Sequence, residues 1–467
     1  MRRTDLPHDF VIGTATAAYQ IEGATREDGR GDSIWDTFAR VPGAIADGST
    51  GDVADDHYHR APEDVALMAD LGFDAYRFSI AWSRIQADGT GAPNPAGIDF
   101  YRRLADSLLE RGITPWATLY HWDLPQALDD RGGWLERETA LRFADYAAHV
   151  ADQLGDVITD WITLNEPWCS SFLGYASGHH APGRTLGARS THAAHHLLLG
   201  HGLALEAFRD RRPEARVGTT LNLYSIRPAS DSDADRDAAR RIDGLSNRFF
   251  LDPVLRGAYP VDVLDDLGQR SWFDEHATAE DLRRISAPID FLGVNYYSRH
   301  TVAADGIASA EPSAYPGSEH VRFVKTGASV TQMGWEIHPD GMTDVLRMAN
   351  GLAPELPLYI TENGAAYEDR LDPGGEILDP ERVDYLEKHF EAARDAVQQG
   401  LPLRGYFIWS LMDNFEWAWG YSRRFGIVYV DYASQKRIPK QSARWVSDFL
   451  GNDSGMGAVS GRAAMQP

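Results

Sequence analysis

Eight short runs of β-branched, aromatic and aliphatic residues recur along the chain, each followed by a stretch with helical periodicity. This alternation narrows the fold more than any other feature. The runs lie at 10–15, 73–79, 114–120, 160–165, 216–221, 291–295, 358–361 and 405–410, and amphipathic stretches such as 62–71, 98–111, 138–154, 191–208 and 380–399 lie between them. Near-continuous apolar runs of this length suit strands buried on both faces. Strands that alternate with helices join in parallel, and eight of them make a (β/α)8 barrel. The expectation is an α/β, single-domain (β/α)8 TIM barrel over residues 1–450, with extended βα loops at its C-terminal face. A length of 467 residues would otherwise suggest about three domains, but barrels with insertions exceed 400 residues as one unit. The spacing of the runs drifts, so no repeat of fixed period is present. Three longer interruptions read as rim loops rather than linkers: the acidic, Ser/Asp-rich 225–239, the Gly/Ser/Ala-rich 298–333, and 368–379 with its Pro and Gly. The Gly/Ala/Ser-rich end, 451–467, reads as a disordered tail.

In a barrel of this kind the strand tips and the loops after them carry the chemistry. Two tips share a design. Leu358-Tyr359-Ile360-Thr361 runs into Glu362-Asn363-Gly364, and Trp161-Ile162-Thr163-Leu164 runs into Asn165-Glu166-Pro167. An ionised group is costly at the end of a buried strand unless something pairs or uses it. For either glutamate alone, pairing with an arginine or capping of a helix is the more ordinary explanation. Two together are the paired carboxylates that glycosidic bond cleavage requires. The other tips offer Arg77, His121, Asn295 and Trp409.

These motifs carry a resemblance to glycoside hydrolase family 1, the β-glucosidase family, from about residue 10 to 449. Leu358 to Ala366 resembles its nucleophile signature, Thr163 to Pro167 its acid/base motif, and Phe10 to Ala24 its N-terminal signature, with Ile12 where an aromatic or Met is usual. The resemblance implies Glu362 as nucleophile and Glu166 as acid/base, supported by Arg77, Asn295 and Tyr297. It implies sugar contacts from Gln20, His121, Asn165, Trp409, Glu416 and Trp417. Trp168, Cys169 and Leu173 follow the acid/base on its loop and should line the leaving-group side, and Trp335 resembles the aromatic platform there. The bulk of Trp168 and Leu173 resembles the narrowed entrance of glucose-tolerant relatives, which implies weak product inhibition. The implied activity is that of a retaining exo-β-glycosidase acting through a covalent glycosyl-enzyme. It would release terminal β-D-glucosyl residues from cello-oligosaccharides or aryl and alkyl glucosides, with side activity on β-galactosides or β-fucosides.

Two alternatives stand beside it. A non-catalytic sugar-binding relative would have lost one or both glutamates, and both are present. A 6-phospho-β-glucosidase of this family has a Ser at the Glu416 position with Lys and Tyr shortly after. Here Glu416 is followed by Ser422, Arg423, Arg424 and Phe425. An ionised carboxylate at 416 accepts hydrogen bonds from two hydroxyls and repels a phosphate.

The remaining signals exclude other functions. The net charge of −24 and pI near 5.0 oppose nucleic acid and anionic membranes as partners, leaving a small-molecule substrate. Oligomeric state is left open. His192, His195 and His196 have helical spacing, but no His-Glu-x-x-His order surrounds them, so they read as structural rather than metal-binding. His57 and His59 read likewise. No phosphate-binding or dinucleotide-binding glycine loop is present, and the chemistry needs no cofactor. Cys169 is the single cysteine, which excludes an internal disulfide. The N-terminus lacks the apolar run of a secretory signal, and no stretch is long enough to span a membrane. A cytoplasmic protein is expected.

Overall fold

The computed structural model describes residues 1–307 and 311–451. Eight strands close into a barrel: β1 (Val11–Ala15), β2 (Ala75–Ser79), β3 (Thr114–Tyr120), β4 (Asp160–Asn165), β5 (Arg216–Asn222), β6 (Leu292–Asn295), β7 (Leu358–Asn363) and β8 (Leu403–Trp409). They stand in chain order around the barrel, every pair is parallel, and β1 closes the ring by pairing with both β2 and β8. Each expected run is one of these strands, with ends shifted by a residue or two. The strands are buried on both faces because helices cover the outside and side chains fill the inside. Alternation is therefore absent from their sequences.

The two ends of the barrel interior differ in chemistry. At the N-terminal end Trp116 of β3 meets Tyr359 of β7 and Phe407 of β8 with ring centroids 4.9 and 5.2 Å apart. Gly13 makes room for this layer, since a Cβ there would sit 2.4 Å from the Phe407 ring. Toward the C-terminal end the interior becomes polar. Thr220 Oγ1 donates to Thr361 Oγ1 at 3.3 Å, Thr361 Oγ1 donates to Asn295 Oδ1 at 2.8 Å, and Arg77 Nε donates to Thr118 Oγ1 at 3.3 Å. Buried polar groups have to be hydrogen-bonded, and here they are bonded to one another directly beneath the strand tips.

Helix starts follow their caps. The helix expected from 98 begins earlier, at Pro95–Leu109, because Asn94 accepts from the amide of Ala96 and Pro95 occupies the first turn. The helix expected from 62 spans His57–Leu71 and ends on Gly72, which takes φ +86°.

Two of the three expected rim loops are ordered differently. The acidic 225–239 stretch is a strand, Ser225–Pro228, followed by a helix, Asp233–Asp243. The Ser232 side chain caps that helix, with Asp233 and Asp235 in its first turn and Arg240 and Arg241 in its last. An acidic, Ser-rich run is what a capped helix start requires when the macrodipole is matched, and composition alone mistook it for a loop. The 298–333 stretch supplies strands Arg299–Ala303 and Arg322–Val324, which join Ser225–Pro228 in a three-stranded sheet on the rim. The third stretch, 368–379, is irregular apart from a bridge between Leu371 and Ile377. The expected disordered tail, 451–467, lies outside the described residues beyond Gly451.

The histidine cluster on helix Ser190–Arg211 is held by protein partners. His192 Nε2 lies 2.9 Å from Gln269 Oε1 with its ring stacked on Trp272, His195 Nδ1 is 3.0 Å from Tyr259 OH, and His196 Nδ1 is 2.9 Å from the Trp134 carbonyl. His57 is paired with Asp64 at 2.7 Å, and His59 with Asp56 and Glu27. Among the described residues no group of three or more His, Cys, Asp or Glu side chains is placed to hold a metal ion, and no helix is long and apolar enough to cross a membrane.

Candidate active site

A cavity of about 840 Å³ opens over the C-terminal strand tips. Glu166 and Glu362 both reach it, from β4 and β7. Glu166 ends its strand by taking φ +47°. That left-handed backbone is strained for a glutamate, and the proline that follows disfavours a right-handed helical alternative. Its amide donates to the Thr220 carbonyl at 2.9 Å, and its own carbonyl accepts the Cys169 amide at 2.9 Å, starting the π-helical segment Cys169–Ser177.

Glu362 is delivered differently. Asn363 is locked by its amide donating to the Tyr296 carbonyl at 2.5 Å and to Tyr385 OH at 3.0 Å, while Tyr406 donates to its Oδ1. Gly364 follows because a Cβ there would lie 1.6 Å from the backbone oxygen of Trp409. The Asn-Gly pair thus serves close approach of two strand ends rather than a reversal of chain direction.

The surroundings of the two carboxylates are unequal. Arg77 Nη1 donates to Glu362 Oε1 at 2.6 Å, and Tyr297 OH donates to Glu362 Oε2 at 2.7 Å. Among the described residues Glu166 has only neutral donors: Asn295 Nδ2 at 2.7 Å on Oε1 and Cys169 Sγ at 3.1 Å on Oε2. Burial raises the pKa of both, and the Arg77 charge and the Tyr297 hydroxyl oppose that rise at Glu362. Glu166 is pushed up to about 8, first by burial and then by the charge of Glu362. The cation and the phenol beside Glu362 favour its ionised form, whereas burial and the neighbouring carboxylate favour the protonated form of Glu166, so environment alone separates the two.

The expected sugar contacts form a connected shell. Asn165 Oδ1 accepts from Arg77 Nη2 at 2.6 Å and from Asn295 Nδ2 at 3.1 Å. Two donors on that oxygen fix the orientation of the amide. Asn165 Nδ2 must then donate to His121 Nε2, 3.0 Å away, which places the His121 proton on Nδ1. Burial, and after it the Arg77 charge, hold the His121 pKa well below the usual imidazole range, so the ring is neutral. His121 Nδ1, Gln20 Oε1 and Trp168 Nε1 are buried and have no hydrogen-bond partner among the described residues. A donor, an acceptor and a second donor left unpaired beside one cavity are what a polyhydroxylated ligand would satisfy. Gln20, Arg77, Asn165 and Asn295 stand behind the cavity wall. His121, Trp409, Glu416 and Trp417 are on it.

Glu416 differs from expectation. Its carboxyl lies 3.4 Å from Gln20 Nε2, and burial, followed by the charges of Glu362 and Glu166, pushes it up to about 8. Burial and the neighbouring carboxylates thus favour a neutral carboxyl at 416 over the ionised acceptor expected from the sequence. The two nearby arginines are turned to other partners: Arg424 pairs with Asp413 at 2.6 Å and Arg423 covers the Trp419 ring at 4.4 Å.

On the outer wall the cavity meets Trp168, Cys169, Leu173 and Trp335, all expected at the leaving-group side. Trp122 and Tyr224 line it as well, and sequence reasoning missed both. Trp122 had a local signal, since it follows His121 at the β3 tip, takes φ +76° and bonds the Asn165 carbonyl at 3.0 Å. Tyr224, just past β5, had none.

Comparison with known proteins gives one answer throughout. The sequence model for "Glycosyl hydrolase family 1" matches residues 2–454. A thermostable beta-glucosidase B from Thermobispora bispora is 52% identical over 446 residues, covering 95% of this chain and 90% of the relative. A bifunctional beta-D-glucosidase/beta-D-fucosidase from Bifidobacterium breve is 48% identical over 462 residues, with 96% and 98% covered. Among solved structures, a family 1 β-glucosidase from Thermotoga maritima in complex with isofagomine lactam superposes with a TM-score of 0.90 at 46% identity, covering 96% of this chain and 99% of that one.

Proposed function

The chain belongs to glycosyl hydrolase family 1, and from that premise we propose how its residues divide the work of a retaining exo-β-glucosidase. The carrying observation is the inequality of the two carboxylates, one held by a guanidinium and a phenol and the other by an amide and a thiol. In the first step Glu362 attacks the anomeric carbon while Glu166 gives its proton to the departing oxygen. The charge of Glu362 is lost when its ester forms. One of the forces raising the Glu166 pKa disappears with it, so Glu166 becomes the base that takes a proton from water in the second step. Arg77 and Tyr297 hold the nucleophile, and Asn295 orients the acid/base.

Sugar recognition falls to Gln20, His121, Asn165, Glu416 and the faces of Trp409 and Trp417. As a neutral carboxyl, Glu416 donates to one hydroxyl and accepts from another. Among the described residues Arg424 is paired with Asp413 and Arg423 lies over the Trp419 ring, which supports an unmodified hexose over a 6-phosphate. Trp168, Cys169, Leu173 and Trp335 face the leaving group, and weak inhibition by glucose belongs to this reading. The Bifidobacterium breve relative's name supports β-fucosides as additional substrates. Cello-oligosaccharides as natural substrates, and a cytoplasmic setting for a chain whose single thiol is buried, are parts of the same proposal.

A panel of aryl β-glucosides, β-fucosides, β-galactosides and β-glucoside 6-phosphates tests it. Glucoside kcat/KM should exceed that for the 6-phosphate by a large factor. Comparable values for the two would overturn the role given to Glu416, and failure to hydrolyse any of the panel would favour a binding protein.

A further inference from the structure

The two oxygens of Glu166 are not equivalent. Oε1 accepts from Asn295 Nδ2 at 2.7 Å. That amide cannot be turned, because its Oδ1 accepts from Thr361 Oγ1 at 2.8 Å and its Nδ2 also serves Asn165 Oδ1 at 3.1 Å. Oε1 is therefore committed as an acceptor, and the proton of neutral Glu166 must sit on Oε2. Oε2 is the oxygen that faces Cys169 Sγ at 3.1 Å. Cys169 is buried and its backbone amide is anchored to the Glu166 carbonyl at 2.9 Å. Its sulfur is thus fixed relative to the carboxyl by one turn of chain.

We propose that Cys169 is a positioning residue for the acid/base: its S–H holds the proton-carrying oxygen of Glu166 and stabilises the ionised carboxylate needed to activate water. This rests on the reading of Glu166 as acid/base given above. In the first step the Oε2 proton passes to the leaving oxygen as the bond from Glu362 to the anomeric carbon forms and the glycosidic bond breaks. Glu166 is then an anion, and the thiol donates to it. In the second step Oε2 takes a proton from water, the water oxygen bonds to the anomeric carbon, and Glu362 departs as a carboxylate. The thiol proton stays on sulfur throughout, because burial and the charges of Glu166, Glu362 and Glu416 hold the Cys169 pKa well above the usual thiol range. A donor that bonds the ionised form more strongly than the neutral form favours the ionised one.

The other charged or titratable groups facing this pair come from several elements. They are Glu362 and Arg77 at strand tips, Glu416, and the phenols of Tyr297, Tyr224 and Tyr315. None of them bonds Glu166 Oε2 among the described residues, so the local effect of the thiol can be separated from theirs by replacing it alone.

The test uses Cys169→Ala and Cys169→Ser in the full chain. The Glu166 carboxyl is titrated by 13C NMR, with its signal assigned through Glu166→Gln. Loss of the thiol should raise its pKa by about half a unit to one unit, the size expected of one modest hydrogen bond. Serine, a stronger donor, should return it to the wild-type value or below. On 2,4-dinitrophenyl β-glucoside, whose good leaving group makes the second step limiting, Cys169→Ala should lower kcat roughly two- to tenfold by the same arithmetic, by more than it lowers kcat/KM, with Ser restoring kcat. An unchanged or lowered Glu166 pKa in Cys169→Ala would overturn the proposal. So would equal losses in kcat and kcat/KM that Ser does not repair, since packing alone would do that. Should the wild-type chain hydrolyse no glucoside, the enzymatic reading fails, while the NMR titration still decides whether the thiol favours the ionised carboxylate.

Discussion

Arg77 and Asn165 meet at 2.6 Å, guanidinium Nη2 to amide Oδ1, while the neighbouring nitrogen of the same guanidinium holds Glu362 at 2.6 Å. One planar cation thus fixes both the Glu362 carboxylate and the amide that sets the His121 tautomer. The charge stabilises the carboxylate, and the fork geometry orients the Asn165 side chain.

A lysine cannot reproduce that fork. Arg77→Lys should lower kcat by roughly a hundredfold or more, as small displacements of positioned groups do, and should raise KM because Asn165 is no longer held. Arg77→Met should go further and leave Glu362 buried and unpaired, costing about 3–5 kcal/mol of stability and raising the pH of the acid limb of kcat/KM. Denaturant unfolding and pH–rate profiles check the two effects separately. An Arg77→Met protein with wild-type stability and an unmoved acid limb would contradict this account.

The raised carboxyls make stability depend on pH in a predictable direction. Glu166 and Glu416 hold their protons up to about 8 in the folded protein, against 4.5 as the ordinary value. Between those limits the folded state binds more protons than the unfolded one, so stability falls as pH rises. Glu166→Gln and Glu416→Gln remove this dependence. The Tm of each variant relative to wild type should be more favourable at about pH 8.5 than at about pH 5 by the same linkage. Equal differences at the two pH values would mean that neither group is perturbed.

Gly364 tests how Glu362 is delivered to the cavity. Its missing Cβ is occupied by the Trp409 carbonyl, a backbone atom with no rotamer to change. Gly364→Ala should therefore destabilise by about 3 kcal/mol, the upper end of ordinary overpacking, and should depress turnover because Glu362 and Trp409 are both displaced. An alanine variant with wild-type Tm and activity would show that the approach is looser than described.

Much of this was legible in the sequence because barrel strands are short, apolar and local. Runs such as 114–120 and 160–165 coincide with β3 and β4, and the strand-tip glutamates announce themselves by being charged where apolar residues are required. What was not legible depends on distance in the chain. The pairing of Arg77 with Glu362 spans 285 positions, and nothing near Gly364 reveals that Trp409 lies against it. Family motifs supplied those partners, whereas Tyr224 had no motif and was missed. The environment of Glu416 was not legible for a related reason. A carboxylate in a sequence looks charged, and the burial and the two neighbouring carboxylates that push its pKa up to about 8 are assembled only by the fold.

The central claim, that Glu362 bonds the sugar and Glu166 manages the proton, is tested most directly by the anomeric configuration of the product formed when azide rescues Glu362→Ala. With the nucleophile replaced by a methyl group, azide should enter from the vacated side and give the α-glucosyl azide from an activated β-glucoside, identified by 1H NMR. A β-glucosyl azide, or no rescue in a folded variant, would contradict the assignment of Glu362 as the nucleophile.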